Sequence, residues 1–433
     1  MLEKIKQIYQ METKMTQTDI LRKYCRVATN QDEDRFVGIQ GDAEGVFVYF
    51  PLGYQLSKLD SEIRKDILHL FRIINEFKEV KEGNITQRNN NEINDVEFPL
   101  NAYMEIIYYF LKNGYYKETD PIYRTQNKGK IHWSKTIKNQ NPCLVKNYTP
   151  TYSLIYTNFT VRDSTPNEDK EITRINQYCV YESFKKIGWL FNSYIPPKTI
   201  DKLNKNRSLS VLQDKLSNTN EDNKKKLFKS MIELINSMDD DSENRFHYGT
   251  YKFEHVFEKM IDSMFGIEHK DDYYPKAKWS LKFDDNTRTY PLQPDTIMEY
   301  DDKIFVIDSK YYKYGDTMES KDLPQVTSIN KQITYAEYVK NLEISGGKEI
   351  YNAFILPYNK ESNKFNTNEF FINVGEATGE WRENTHKYEY IQCILIDVRY
   401  LIENYKIKSN DNIVQLANVI EEAFEKNKQV NKY

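Results

Sequence analysis

Cysteine is scarce in this chain, and the four that occur, Cys25, Cys143, Cys179 and Cys393, stand apart with no C-x-x-C pair. That spacing excludes a zinc ribbon or a disulfide framework and suits a reducing cytoplasm, the compartment expected for the protein. No apolar run approaches the length of a membrane span, so no membrane partner is expected. The first residues, Met1 to Gln7, lack the apolar core of a signal peptide. A phosphate-binding G-x-x-x-x-G-K-[S/T] loop is also missing. Gly346, Gly347 and Lys348 carry only a fragment of it, so the chain is not itself a P-loop motor. Net charge is low, at −4, which leaves nucleic-acid binding to local basic patches.

What is present is core material. The chain has 433 residues and is 39% apolar, enough for two or three domains. The pattern is α/β of the mixed α+β kind. Residues 1–30 read as a mixed helix. Arg35 to Gly53 reads as two strands joined by a turn at Gly41–Gly45. Asp60 or Ser61 caps a helix through Ile63, Ile67, Leu70, Ile74 and Phe77. A polar loop spans Gly83–Asn91. A second helix runs from Leu100 to Leu111 behind Pro99 and stops at Asn113-Gly114. Strands are expected near 152–156 and 158–161, and a helix over 172–191. Residues 196–245 are polar, with one embedded helix, Leu227–Met238, and an acidic run from Asp239 to Glu243 that reads as a solvated linker. These features divide the chain into 1–245, a DNA- or partner-recognition region with a further break near 83–95, and 246–433.

The second region is organised around residues 290–312. Two apolar runs flank Asp301-Asp302, as in a β-hairpin. One run begins after Pro294-Asp295. The other, Ile304 to Ile307, ends in Asp308-Ser309-Lys310. A turn centred on the aspartate pair sets position 295 opposite 308, and residues two apart, Asp308 and Lys310, share one face. Flanking this are a helix over 251–266 that carries Glu254 and Glu258 four apart, and a helix from about Val326 to Asn341. Further strands are expected at 277–283, 350–357 and 390–398, with a closing helix, giving a mixed sheet covered by helices.

Two carboxylates and an ammonium in one place suit phosphodiester hydrolysis. Mg²⁺, with Mn²⁺ as a substitute, takes hard oxygen ligands and keeps several waters, so few protein ligands suffice. Asp295 and Asp308 would supply them, with the Ser309 carbonyl and Glu258 or Glu254 completing the set. Lys310 would orient the attacking water or stabilise developing charge. Gln332 would contact a nucleotide or the metal's water. As bare text, acid-x-Lys means little, since it recurs at Glu76–Lys78, Glu79–Lys81 and Glu168–Lys170. Only the copy at 308–310 ends an apolar strand that follows a Pro-Asp partner. In the first region, Lys130, Trp133, Lys135 and Lys138 form a basic and aromatic stretch that would cradle a DNA backbone. The plain alternative is a surface loop with a buried Trp.

The Pro294-Asp295 … Asp308-x-Lys310 signature resembles the PD-(D/E)xK nuclease superfamily. Together with Gly249 to Met260, Gln293, Lys331 to Tyr335, Asn113 to Tyr116, Gly129 to Lys138 and Ile172 to Ser183, it resembles the LlaJI-type restriction endonucleases over roughly residues 95–400. The resemblance implies a Mg²⁺-dependent endonuclease of a restriction system, an McrC-like subunit acting on double-stranded DNA with a separate McrB-like GTPase motor. Ser309 stands where many superfamily members carry a small apolar residue. Cutting both strands would require two active sites, as in a homodimer. The competing readings are a modification-dependent or repair nuclease, and a DNA- or partner-binding protein on an inactive nuclease fold.

Overall fold

The computed structural model describes residues 21–430, apart from 32–33, 43–44, 79–95, 149–150, 168–169, 192–193, 201, 239–245, 280 and 283–288. Of the helix expected over residues 1–30, residues 1–20 lie outside the described residues. Residues 21–30 hold a single 3-10 turn, Leu21–Tyr24, and a strand, Cys25–Val27, instead, because Cys25–Val27 pairs with a neighbouring strand. The polar tract 83–91 and the acidic run 239–243 also lie outside the described residues. The chain divides into two compact units, Met1–Val96 with Glu243–Tyr433, and Glu97–Ser242.

This division corrects the expected 1–245 region. The described residues before 97 belong to the unit that contains the described residues of 243–433. The reason is strand pairing across a long sequence gap. Strands β1 (Cys25–Val27), β2 (Val37–Asp42) and β3 (Gly45–Phe50), followed by helix α1 (Asp60–Lys78), are joined by β4 (Phe246–Thr250). β2 and β3 form the expected hairpin, β1 lies parallel to β3, and β4 lies antiparallel to β2 with Tyr248 opposite Ile39. The two-residue strand Val96–Glu97 completes the edge of this sheet. Gly249 sits opposite Gly38. A Cβ on Gly38 would fall 2.2 Å from the Tyr248 carbonyl oxygen, and one on Gly249 2.2 Å from that of Val37. Only two glycines let these strands approach so closely.

The same unit continues with α2 (Phe253–Phe265), β5 (Thr296–Tyr300), β6 (Lys303–Ser309), α3 (Val326–Lys340), β7 (Glu349–Tyr358), β8 (Phe371–Ala377), β9 (Ile391–Asp397), α4 (Val398–Asn404) and α5 (Asn410–Val430). The five strands form one mixed sheet in the order β5-β6-β7-β9-β8. β6, β7 and β9 are parallel, and the edges are antiparallel. Parallel central strands are covered on both faces, which is why Ile304–Ile307 and Ile394–Ile396 are unbroken apolar runs. Helix α3 makes the crossover between β6 and β7. Its Ile333, Tyr335, Ala336 and Val339 pack on Ile304, Val306, Ile350 and Phe354. On strand parity the opposite face belongs to Phe305, which stacks on Tyr351 at 5.2 Å. Tyr351 in turn meets Phe424 of α5 edge-on at 6.2 Å. The strand expected at 277–283 is shorter. Lys276–Lys278 pairs with Thr289–Pro291 in a separate ribbon, and β8 was not foreseen.

Residues 21–78 hold this unit through specific polar ties. Arg399 of α4 donates to Asp66 of α1 at 3.1 Å, and the hydroxyl of Ser57 donates to the same carboxylate at 2.7 Å. The Tyr311 hydroxyl accepts the Leu52 amide at 2.6 Å, and the Tyr311 ring lies 5.5 Å from both Phe253 and Phe257.

The second unit packs helices Leu100–Asn113, Glu171–Ile187, Lys205–Asn218 and Asp222–Asn236 around Tyr103, Ile106, Phe184, Leu212, Phe228 and Met231. The polar tract 196–245 thus holds two helices where one was expected. The first is capped by Asn204, whose side chain accepts the Arg207 amide at 3.1 Å. A three-stranded sheet joins Glu118–Thr125 and Lys130–Ile131 to Thr160–Asn167. A separate ribbon pairs Cys143–Lys146 with Tyr152–Ile155. All four cysteines are free thiols. Among the described residues no helix is long and apolar enough to cross a membrane.

Candidate active site

The turn at Asp301-Asp302 fixes the register of the site. Asp301 takes a left-handed φ of 49°, which a short polar side chain tolerates. Tyr300 pairs with Lys303 and Thr296 with Ile307, so the next step outward sets Asp295 opposite Asp308. The Ser309 amide donates to Asp295 Oδ2 at 2.8 Å. Asp308 and Ser309 are buried, and Asp295 is partly so. Lys310 Nζ contacts Asp308 Oδ2, as expected for residues two apart at a strand end. The Lys310 amide donates to the Ile355 carbonyl at 2.8 Å, which extends the ladder to β7.

Three ties hold the Pro294-Asp295 corner. Lys270 Nζ donates to the Asp295 carbonyl and to Asp262 Oδ2 of α2, both at 2.6 Å. The Tyr335 hydroxyl of α3 donates to the Gln293 carbonyl at 3.3 Å. The Ile267 amide, just beyond α2, donates to the Ile297 carbonyl at 2.9 Å. Neither Lys270 nor Asp262 is legible as a site residue in the sequence, because their partners lie in other elements.

The charges are crowded. Burial first, then the carboxylates of Asp308 and Glu258, push the Asp295 carboxyl from its ordinary 3.8 up to about 7, against the Ser309 amide and Lys310, which pull it down. Glu258 is therefore within electrostatic reach of Asp295. Its near neighbour on the helix is His255, 3.5 Å away. Glu254 adds its charge instead at the Tyr311 hydroxyl. Lys331, exposed on α3, also joins the site. Burial works against its charge, but Tyr335, Asp308 and Asp295 overcome this and raise its pKa. Its ammonium lies 5.2 Å from the centre of the Tyr335 ring, the i+4 neighbour.

Gln332 is placed otherwise than expected. It is buried, and its Nε2 donates to the Val306 carbonyl at 2.9 Å and to Asn352 Oδ1 at 2.7 Å. Asn352 returns a bond to the Gln332 carbonyl at 3.1 Å. The side chain that was to meet a nucleotide is a strut between α3 and the sheet.

The donors suit a hard divalent cation. Two carboxylate oxygen sets meet where negative charge is already in excess, and a cation would relieve what holds Asp295 near pH 7. Among the described residues no three His, Cys, Asp or Glu side chains converge as a ligand set. Glu258 acts on the carboxylate pair through its charge at Asp295. A cation that keeps most of its waters needs only one or two carboxylates.

In the second unit, Trp133 opens a short helix, Trp133–Asn139, whose N-cap is His132, accepting the Lys135 amide at 3.3 Å. The buried Trp of the plain alternative is not found. Trp133 is 55% exposed and touches Phe159 edge-on. Lys130 and Lys138 are exposed, whereas the Lys135 ammonium sits 3.2 Å from the centre of the Tyr123 ring.

Comparison with known proteins identifies the family of the chain. The family model described as LlaJI restriction endonuclease matches residues 36–377, and the chain belongs to that family. Over 276 residues it is 29% identical to the "Type II restriction enzyme BsuMI component YdjA" of Bacillus subtilis (strain 168), covering 58% of this chain and 56% of that protein. The chain thus spans about half the length of this curated relative. A chain of the refined half-complex from a tetradecameric assembly of Thermococcus gammatolerans McrB AAA+ hexamers with bound McrC aligns at 13% identity and a TM-score of 0.33. That alignment covers 88% of this chain and 83% of that one, a similarity too low to define the fold.

Proposed function

We propose that the chain is a Mg²⁺-dependent DNA endonuclease of a restriction system, a PD-(D/E)xK type of enzyme whose centre is Asp295, Asp308 and Lys310. The observation that supports this most is the pairing of Asp295 with Asp308, one locked by the Ser309 amide and the other in contact with Lys310. Asp295 and Asp308 would hold the metal, with the Ser309 carbonyl as a further oxygen. When bound, Mg²⁺ supplies charge neutralisation at the phosphate and lowers the pKa of a coordinated water. Lys310 orients the attacking water and offsets charge building on the phosphate, and Lys331 adds a second cation from α3. Glu258 acts on the field at Asp295 from α2.

The substrate in this reading is double-stranded DNA, held in part by Lys130, Trp133 and Lys138 of the second unit. The partner is a separate McrB-like GTPase motor, since the chain carries no phosphate loop of its own. The setting is the cytoplasm.

The test is Asp308→Asn assayed for cleavage of duplex DNA in Mg²⁺, with and without a motor subunit. The expected loss is at least a thousandfold, while duplex binding in EDTA stays intact. Cleavage at the wild-type rate would remove the site. Duplex binding with no cleavage under any condition would favour the inactive, DNA-binding reading.

A further inference from the structure

Between Pro121 and Arg162 the chain has no Asp or Glu at all, although acidic residues outnumber basic ones overall, 65 to 61. Within that stretch Arg124, Lys128, Lys130, Lys138, Lys146 and Arg162 are all exposed, and none is in an ion pair among the described residues. Exposed basic side chains outside ion pairs form a surface for a polyanion.

The stretch also contains the ribbon Cys143–Lys146 and Tyr152–Ile155. On one face Leu144 sits opposite Leu154 and Lys146 opposite Tyr152. On the other, Cys143 sits opposite Ile155 and Val145 opposite Ser153. Leu144 and Leu154 are each 65% and 63% exposed, and Val145, Tyr152 and Ile155 are exposed as well, so neither face packs on the unit's core. A hairpin normally needs one covered face to be stable. This one is braced at its end by Asn147, whose Nδ2 donates to Thr151 Oγ1 at 3.1 Å and Ser153 Oγ at 2.9 Å. Beyond the brace stands the fully exposed Tyr148.

We propose that this ribbon enters the major groove of duplex DNA. A two-stranded ribbon is the width that groove admits, and a ribbon seated in a groove meets the partner on both faces. A hairpin docking on a protein would bare one apolar face, whereas this one bares two and carries cations beside them. Lys146 would meet a phosphate, and Leu144, Leu154 and Tyr152 would lie against base edges and thymine methyl groups. The inference rests on the proposed DNA substrate and adds a surface distinct from Lys130, Trp133 and Lys138.

The test uses the full chain, in EDTA so that nothing is cut, and a 30-base-pair duplex titrated at several salt concentrations. Lys146→Ala is expected to lower the slope of log K against log salt by about 0.9, the value for one lost phosphate contact. Leu144→Ser with Leu154→Ser is expected to weaken binding about tenfold at unchanged slope. Because these side chains touch no core, the melting temperature should stay at the wild-type value, which separates lost contact from lost fold. If the wild-type chain binds duplex and both variants match it in affinity and slope, the ribbon proposal is overturned while the DNA reading stands. Unchanged duplex binding with loss of a motor-protein contact would overturn it in favour of a protein-docking ribbon. A wild-type chain that binds no duplex would overturn the DNA reading itself.

Discussion

Replacing Asp295 by Asn should stabilise the metal-free protein at neutral and alkaline pH. In the fold the carboxyl is pushed from 3.8 up to about 7 by burial and by Asp308 and Glu258. A rise of about three pH units at about 1.4 kcal/mol each amounts to on the order of 4 kcal/mol. The sign follows from which form the fold prefers. An acid with a raised pKa is held protonated, so its ionisation takes stability away as pH climbs from about 4 to about 7, and the deficit is constant above that. Asparagine does not titrate, and its carbonyl still accepts the Ser309 amide. The variant should therefore match the wild type near pH 4, gain on it steadily to about pH 7, and lead by a few kcal/mol at pH 8. The assay is urea unfolding at pH 5, 6, 7 and 8 in EDTA. A difference that does not change with pH, or a variant less stable at pH 8, would refute the reasoning. Repeating the series in Mg²⁺ tests the ligand role, since a bound ion should stabilise the wild type and close the gap.

Other outcomes follow from particular contacts. Arg399→Met leaves Asp66 buried beside the Ser57 hydroxyl with its cation removed, and should cost about 3–5 kcal/mol in unfolding experiments. An effect below about 1 kcal/mol would show that α1 and α4 do not depend on this pair. Lys270→Met removes the tie between Asp262 and the Asp295 carbonyl and should lower kcat for cleavage while duplex affinity is unchanged. Gln332→Leu should destabilise the chain by about 1–3 kcal/mol, because it strips a donor from the Val306 carbonyl and from Asn352. Its rate per folded molecule should stay near wild type, and a thousandfold loss would return Gln332 to the chemistry.

The hairpin register of the candidate site was legible because its determinants are local. The aspartate turn, the apolar runs on either side and the period of two together place Asp295 against Asp308. Glu258 could not be separated from Glu254 by sequence, because the choice depends on how α2 is rotated over the strand ends. Gln332 was misread for a related reason. On α3 the buried stripe is Gln332, Ile333, Tyr335, Ala336 and Val339, so the glutamine lies within the stripe, where a polar residue is easily taken for a functional one. Strand Glu118–Thr125 went unread because Pro121 sits inside it, and helix Lys205–Asn218 because only Ser208 and Leu212 are buried. The membership of residues 21–78 was beyond reach, since β4 finds β2 across roughly two hundred residues.

That last pairing sets a timetable. As the chain leaves the ribosome, β2 and β3 emerge early and wait while 97–242, a unit with its own core, is made and folds. Their partner strand comes next, and the aspartates, the crossover helix and the closing strands come later still. A partly made copy therefore has a unit that faces DNA in the proposed reading but no assembled cutting centre. Under the proposed nuclease reading, the order of synthesis itself would keep unfinished copies from cutting the host chromosome.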